Sequence, residues 1–255
     1  MDYTAIFQGG GLKSIAYIGA ILALEEEGFV CKRAAGVSAG AIFAALLMAG
    51  YTGKEMLYII NNLSIDKLIK KNNNFIKNTI NDKGMYSLYY IEKMIEQLLI
   101  KKDKYSFFSY KNNKNYNLKI LATNTSKNVP IVFPDSLTYY NMNPDLFSVA
   151  KATVMSSTFP LFFKPYKLNN DYVADGGIID NFPYNIFSYD NNELVLGFLL
   201  TNKRNKNIPQ NIKIINLNTK GIKLLNFKIK KDDQLKLIEK SYLDTKRQLR
   251  ELNLI

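Results

Sequence analysis

The hydrophobic positions near the start of the chain form two successive units of an apolar strand followed by an apolar helix. Residues 3–7 predict a strand, which the glycines at 9–11 separate from a helix over residues 12–27. Residues 31–35 predict a second buried strand, and residues 39–49 predict an alanine-rich helix. Two βα units in succession are typical of a parallel sheet.

The rest of the chain continues this alternation. Residues 54–102 have a mostly helical pattern, clearest at residues 86–100, and residues 233–252 predict a final amphipathic helix. Further strands are predicted at residues 117–125, 129–133, 171–174, 194–200 and 212–217, with a helix at residues 146–155. Apolar strands alternating with helices predict an α/β fold with a mostly parallel central sheet covered on both faces. No internal repeat or flexible linker is recognisable, so we expect a single domain over residues 1–255.

Composition narrows the possible chemistry. The chain has no histidine and one cysteine, Cys31, which excludes an internal disulfide and the common zinc ligand sets, so we expect no metal. A formal net charge of +12 favours anionic surfaces such as lipid headgroups or nucleic acid, although lysines that keep a protein dispersed explain it equally well. Because zinc-finger spacing and RNA-recognition signatures are missing from the sequence, nucleic acid is not expected as a partner.

The sequence predicts neither a signal peptide nor a transmembrane segment, because the start lacks a basic n-region and the apolar stretches are too short to span a bilayer. We expect a cytoplasmic protein with, at most, peripheral contact with membranes. The candidate for contact with an anionic membrane is a basic amphipathic segment at about residues 220–255, where Leu225 and Phe227 alternate with Lys228 and Lys230. Packing of this segment against the core explains the same pattern and is the interpretation we favour.

The pentapeptide Gly36-Val37-Ser38-Ala39-Gly40 has the spacing of a nucleophile elbow. The glycines at Gly36 and Gly40 remove Cβ atoms that would collide in a tight turn from strand to helix, which leaves the Ser38 hydroxyl exposed. The N-terminus of the following helix adds positive potential where an oxyanion would form. Ser38 is therefore the candidate nucleophile, and a purely structural turn is the alternative.

The glycine-rich loop Gly9-Gly10-Gly11-Leu12 is the candidate oxyanion hole, because glycine allows successive backbone amides to point toward one atom. The alternatives are a simple tight turn and a phosphate-binding loop. A dinucleotide-binding loop requires glycine or alanine where this chain has Ser14, and the Gly-Lys-Ser or Gly-Lys-Thr of a P-loop does not follow.

Without histidine, the base for Ser38 must be a carboxylate or a lysine. Asp175 stands at the end of a predicted strand before Gly176 and Gly177, and partial desolvation there would raise its pKa. Taken alone, Asp-Gly-Gly is an ordinary turn. Two Ser-x-x-Lys sequences, at residues 64–67 and 148–151, lack the accompanying Lys-Thr-Gly element, and we discount both.

In this order, the glycine loop, the elbow and Asp-Gly-Gly resemble the patatin-like phospholipase family. The similarity extends along the opening block at residues 8–28, the helix end at residues 152–160 and the closing block at residues 175–183, and covers about residues 3 to 200. The chain departs from the family pattern at three positions of the opening block, which are Gln8, Ser14 and Tyr17.

The resemblance implies a three-layer α/β/α fold and a Ser38–Asp175 catalytic dyad that hydrolyses fatty-acyl ester bonds of phospholipids without a cofactor. It implies the loop at residues 9–12 as the oxyanion hole, with Gly36, Gly40, Gly176 and Gly177 in support. Neutral glycerides, lysophospholipids or other acyl esters are alternative substrates. A catalytically silent module that binds lipid or a partner is the non-enzymatic alternative.

Overall fold

The computed structural model of the chain describes residues 1–63, 70–71, 84–200, 208–223 and 229–255. The α-helices of this described part are α1 Ala16–Glu26, α2 Ala39–Met48, α3 Gly53–Asn62, α4 Tyr89–Ile100, α5 Val149–Ser156 and α6 Lys231–Glu251. Short 3₁₀ helices lie at Gly11–Ile15, Phe107–Tyr110, Asp135–Tyr140, Pro144–Leu146 and Gly176–Ile178. None of the described helices is long and apolar enough to cross a membrane.

The strands are short, as expected for an α/β protein. They are β1 Asp2–Phe7, β2 Val30–Val37, β3 Lys70–Lys71, β4 Gly84–Ser87, β5 Lys111–Asn112, β6 Asn115–Tyr116, β7 Leu118–Asn124, β8 Val129–Phe133, β9 Leu161–Phe163, β10 Tyr166–Leu168, β11 Asp171–Asp175, β12 Val195–Leu199 and β13 Ile212–Asn216. The small pairings β3-β4-β9 and β5-β6 lie outside the central sheet.

The central sheet has the strand order β10-β11-β7-β2-β1-β12-β13, and β8 also pairs with β7. The pairings among β7, β2, β1, β12 and β13 are parallel, whereas β8, β10 and β11 pair in antiparallel fashion. Because β1 and β2 are parallel neighbours, the loop after β1 and the turn after β2 meet at the carboxyl edge of the sheet, where ligands bind in open α/β folds.

The two faces of the sheet are covered differently. Ala5 and Phe7 of β1 belong to the large apolar core that also contains the buried residues of the helices, whereas Ile6 points to a second, smaller core. The smaller core is closed by Phe182 and Phe187, which belong to the connection between Asp175 and β12. Within the described part of the chain, that connection covers the second face without an α-helix.

The predicted fold class is confirmed: the chain is an α/β protein whose mostly parallel central sheet is flanked by helices. The main difference at the start of the chain is that the predicted helix from residue 12 begins as the 3₁₀ helix Gly11–Ile15. The edge strand β10 and the small pairings were not predicted. Much of the predicted helical region at residues 54–102 lies outside the described residues.

The terminal helix α6 packs along α1. Ile238 and Leu249 are buried in this contact, and a Cβ at Gly19 of α1 would lie 2.1 Å from the Ile238 carbonyl oxygen, so the two helices approach closely. Leu235, in the first turns of α6, is exposed. The apolar face of this helix therefore packs against the core. Leu225, Phe227 and Lys228 of the candidate membrane-contact segment lie outside the described residues.

Candidate active site

The turn between β2 and α2 has the geometry of a strained elbow. Ser38 has φ 55° and ψ −134°, a backbone conformation that residues other than glycine rarely adopt. A Cβ at Gly36 would lie 2.5 Å from the Gly40 carbonyl oxygen, and a Cβ at Gly40 would lie 2.6 Å from the Gln8 carbonyl oxygen. Both glycines are therefore required by the close approach of backbone segments, and the turn holds Ser38 at the start of α2.

The strand register brings Asp175 to Ser38. Val37 pairs with Leu121 of β7, and the next residue of β7, Ala122, pairs with Asp175 of β11. The Ser38 hydroxyl donates a hydrogen bond of 2.6 Å from Oγ to Asp175 Oδ2. These two side chains, 137 residues apart along the chain, are thus in direct contact.

The carboxylate is held from its other side by the Asp-Gly-Gly turn. Asp175 Oδ1 accepts a hydrogen bond of 2.8 Å from the Gly177 N–H. Gly176 has no room for a side chain, because a Cβ there would lie 2.2 Å from the Leu121 carbonyl oxygen. One oxygen of the carboxylate is therefore fixed by the backbone while the other faces the Ser38 hydroxyl.

Burial makes Asp175 an unusually basic carboxylate. Only 4% of the residue is exposed. Loss of solvent raises the pKa of Asp175 to about 6, although the hydrogen bonds from Ser38 and Gly177 act in the opposite direction. At neutral pH the group is mostly ionised, yet its pKa is closer to that of a histidine than to that of an exposed aspartate. It can therefore accept a proton from a neighbouring hydroxyl.

The glycine loop lies beside Ser38. A Cβ at Gly9 would lie 3.2 Å from the Ser38 Cβ, and Gly11 and Leu12 line the same cavity as Ser38 and Asp175. Since a 3₁₀ helix begins at Gly11, its first amides lack intrahelical acceptors. Within the described part of the chain, the N–H groups of Gly10, Gly11 and Leu12 have no acceptor.

Gly9 differs from the other residues expected in the oxyanion hole. Its N–H donates a hydrogen bond of 3.1 Å to the Asn181 carbonyl oxygen, so this amide is not free to bind an oxyanion. The Gly9 carbonyl oxygen accepts a further hydrogen bond of 3.1 Å from the Asn181 side-chain amide. Gly9 therefore anchors the loop, and the candidate donors are reduced to the next three amides.

The three departures from the family pattern have local roles in holding this loop. The buried Tyr17 hydroxyl donates a hydrogen bond of 2.5 Å to the Gln8 carbonyl oxygen, and Gln8 Oε1 accepts one of 2.8 Å from the Leu200 N–H. The Ser14 hydroxyl donates to the Gly11 carbonyl oxygen. Polar side chains thus tie both ends of the loop to the adjoining structure.

Sequence reasoning assigned no site role to the end of α5, which supports both members of the Ser38–Asp175 pair. The Ser38 N–H donates to Ser156 Oγ over 2.8 Å, and Ser156 Oγ donates to the Leu121 carbonyl oxygen over 2.5 Å. The Asp175 N–H donates to the Thr158 carbonyl oxygen over 3.0 Å. The only signal in the sequence was the serine-rich helix end at residues 152–160, whose contacts depend on the tertiary fold.

An apolar cavity of about 200 Å³ is lined in part by Ser38 and Asp175. Its polar residues lie in, or next to, the segments that carry the glycine loop and the Ser38–Asp175 pair. They are Ser14, Ser38, Ser157 and Asp175. Most of its remaining wall is apolar and comes from the 3₁₀ helix, α1, α2, α3, α4 and the segment after α5: Leu12, Ile15, Ile18, Ala39, Ile42, Phe43, Leu46, Met56, Ile59, Ile60, Leu63, Leu88, Ile91, Met94, Leu98, Phe159 and Phe163. Such a cavity is suited to an alkyl chain rather than to a charged group.

Of the two discounted Ser-x-x-Lys sequences, only the one at residues 148–151 lies within the described residues. Ser148 caps α5, since its hydroxyl oxygen accepts a hydrogen bond of 3.2 Å from the Lys151 N–H, which is a structural role. Residues 64–67 lie outside the described residues.

The chain is similar in sequence to several known proteins. A family model described as patatin-like phospholipase matches residues 5–188. The protein YqhO of Bacillus subtilis (strain 168) is 37% identical over 224 residues, which are 84% of this chain and 76% of YqhO. A protein named probable lipid hydrolase 463L, from Invertebrate iridescent virus 6, is 29% identical over 188 residues, which are 72% of this chain and 62% of the viral protein.

Among solved structures, the crystal structure of VipD from Legionella pneumophila is similar to this chain with a TM-score of 0.63 at 16% sequence identity. The match covers 98% of this chain and 67% of VipD. At this identity the similarity shows a shared fold. The chain thus spans about two thirds of the length of VipD and somewhat less of the viral relative.

Proposed function

This chain belongs to the patatin-like phospholipase family, and we propose that it is a lipid acyl hydrolase that cleaves fatty-acyl ester bonds of phospholipids. The observation that carries the proposal is the 2.6 Å hydrogen bond from Ser38 Oγ to the buried carboxylate of Asp175 on the wall of an apolar cavity. A nucleophile in contact with a base, beside free backbone amides, is the arrangement that acyl transfer requires.

In the first half of the proposed reaction, Ser38 Oγ attacks the ester carbonyl carbon while Asp175 Oδ2 takes the hydroxyl proton. The carbonyl oxygen becomes an oxyanion, which the amides of Gly10, Gly11 and Leu12 stabilise. One such donor typically contributes about 3 kcal/mol to the transition state, so the loop matters to the rate alongside the base. When the tetrahedral intermediate collapses, the alcohol leaves with the proton from Asp175, and the acyl group remains on Ser38.

In the second half, a water molecule attacks the acyl carbonyl carbon, and Asp175 accepts a proton from that water. Collapse of the second intermediate releases the fatty acid, and the proton returns to Ser38 Oγ. The same carboxyl thus acts as base and acid in turn, which its raised pKa of about 6 favours, because both protonation states are accessible near neutral pH.

The test combines covalent labelling with product analysis. The native protein should react with a fluorophosphonate probe and release fatty acid from phosphatidylcholine vesicles, and Ser38→Ala should lose both. Ser157→Ala is the matched control, since Ser157 lines the same cavity but its hydroxyl donates to the Thr153 carbonyl oxygen. Labelling that persists in Ser38→Ala would remove Ser38 from the mechanism.

Product analysis also separates the alternative substrates. Lipid profiling of the native protein against a mixture of phospholipids, lysophospholipids and triglycerides identifies which ester is consumed. A protein that binds these lipids without consuming any, and resists the probe, would be the catalytically silent module.

A further inference from the structure

Helix α2 lies along the cavity at the proposed active site. One side of this helix lines it: Ala39, Ile42, Phe43 and Leu46, at the three- and four-residue intervals that place side chains on one face. Ser38 stands at the beginning of this row and Leu46 at its end. With a rise of about 1.5 Å per residue, the row is about 12 Å long.

Helix α4 also lines the cavity. Leu88 precedes its first residue, and Leu98, near its last turn, lies at the far end of the same face, about 15 Å away. The far ends of α2 and α4 are tied together, because the hydroxyl of Tyr51, just after α2, donates a hydrogen bond of 2.8 Å to the Leu98 carbonyl oxygen. Leu46 and Leu98 therefore belong to the same end of the cavity, away from Ser38.

The turn that leads from α2 into α3 lies next to this end of the cavity. Tyr51 is buried, and a Cβ at Gly53 would lie 2.7 Å from Leu22 Cγ of α1, so the turn packs closely against a neighbouring helix. Met56, in the first turns of α3, is buried and lines the cavity close to this turn. A salt bridge of 2.8 Å between Lys102 and Glu55 holds α3 against the end of α4 from outside.

We propose that this cavity is a blind channel for one acyl chain of about ten to twelve carbons, with Leu46, Met56 and Leu98 as its end wall. The inference rests on the proposed function, since it places the ester carbonyl carbon at Ser38. Successive carbons of an extended chain, joined by bonds of about 1.5 Å at tetrahedral angles, advance about 1.25 Å each, so 12–15 Å holds roughly ten to twelve of them. The length of the acyl chain, rather than the headgroup, is what this wall selects.

The first test measures kcat/KM of the native protein for p-nitrophenyl esters of four to eighteen carbons, each below its critical micelle concentration. Each methylene that enters the channel should raise kcat/KM up to about fourfold. The gain should stop near ten to twelve carbons, because further methylenes have no apolar wall to contact. A rise that continues with the same slope to sixteen or eighteen carbons would overturn the inference while leaving the proposed function intact.

The second test moves the wall. Leu46→Ala should shift the optimum to esters longer by roughly two carbons, and Leu46→Phe should shift it to shorter ones. Leu47→Ala is the matched control: it is the same change on the same helix, but Leu47 is not part of the cavity wall. Thermal unfolding establishes that each variant is folded, and Leu98→Ala replaces Leu46→Ala if the latter is not. Optima that do not move in folded wall variants would refute the end wall.

A separate measurement tests the channel without turnover. Titration of the native protein with saturated fatty acids of six to eighteen carbons should give an affinity that levels off at the same length. If no ester is hydrolysed at any length, the proposed function fails, and this titration alone decides the channel. An affinity that keeps rising beyond twelve carbons at an undiminished slope contradicts it.

Discussion

Replacing Asp175 with asparagine should make the protein more stable at neutral pH while removing its activity. Asparagine keeps the shape of the side chain and an oxygen that can accept the Gly177 N–H, but it carries no charge and cannot take a proton from Ser38. In the native protein the ionised carboxylate is almost fully buried without a positively charged partner among its hydrogen-bond donors, which are Ser38 and Gly177. Its ionisation therefore opposes folding.

The size of the effect follows from the pKa of Asp175, which burial raises from 3.8 to about 6. A difference of about two pKa units corresponds to roughly 3 kcal/mol. Between pH 4 and 6 the folded protein binds more protons at Asp175 than the unfolded chain does. The ionisation of Asp175 therefore lowers the free energy of unfolding as pH rises through this range, and the loss stays constant above pH 6. Asp175→Asn should escape this loss, and its advantage in unfolding free energy should grow to at most about 3 kcal/mol by pH 7.

Urea unfolding of the native protein and of Asp175→Asn at half-unit steps from pH 4 to 8 measures this difference. The exposed Asp190 provides a control, since Asp190→Asn should show no comparable pH-dependent gain. In parallel, kcat/KM for a p-nitrophenyl ester should fall about tenfold per pH unit below pH 6 in the native protein. On the plateau above pH 6, kcat/KM of Asp175→Asn should be lower than that of the native protein by at least about a hundredfold. A stability difference that is flat across this range, or a variant that is less stable at pH 8, would refute the reasoning.

Two further substitutions test the supports of the elbow. Gly40→Ala places a Cβ 2.6 Å and 2.8 Å from two backbone oxygens that cannot move independently. It should therefore destabilise the fold by about 1–3 kcal/mol, measured by urea unfolding. It should also lower kcat for ester hydrolysis about a hundredfold or more. Ser156→Ala leaves the Ser38 N–H and the Leu121 carbonyl oxygen without their buried partner, so it should lower the free energy of unfolding by about 1–3 kcal/mol and lower kcat. The adjacent control Ser157→Ala should retain most activity. Equal effects of the two substitutions would contradict the role given to Ser156.

The parts of the fold that the sequence predicted are those governed by local rules. Apolar strands, apolar helices and the Gly-x-Ser-x-Gly turn all depend on neighbours within a few residues. The structure has β1, β2 and α2 within about two residues of the predicted positions. The placement of Ser38 at the strand-to-helix turn follows from the same local pattern. The resemblance to the patatin-like phospholipase family is confirmed by the family model.

The parts that the sequence could not predict depend on pairing between distant strands. β11 joins the sheet antiparallel to β7, and that register sets the distance between Asp175 and Ser38. No periodicity within a strand specifies its partner. The hydrogen bonds that connect Ser156 with Ser38 and Asn181 with Gly9 have the same origin, since their donors and acceptors are 118 and 172 residues apart. The burial of the terminal helix against α1 also follows from tertiary packing, because an amphipathic helix has the same pattern whichever surface it covers.

The missing histidine and the apolar cavity are connected by one physical requirement. An imidazole has a pKa near neutrality wherever it is exposed to water, whereas a carboxylate reaches that range only when solvent is removed. In this protein β11, the end of α5 and the glycine turn remove solvent from Asp175, and Asp175 lies on the wall of the apolar cavity. The surroundings that suit an acyl chain are thus also those that give the proposed base its strength. A polar or water-filled cavity would lower the pKa of Asp175 toward that of an exposed aspartate and weaken it as an acceptor for the Ser38 proton.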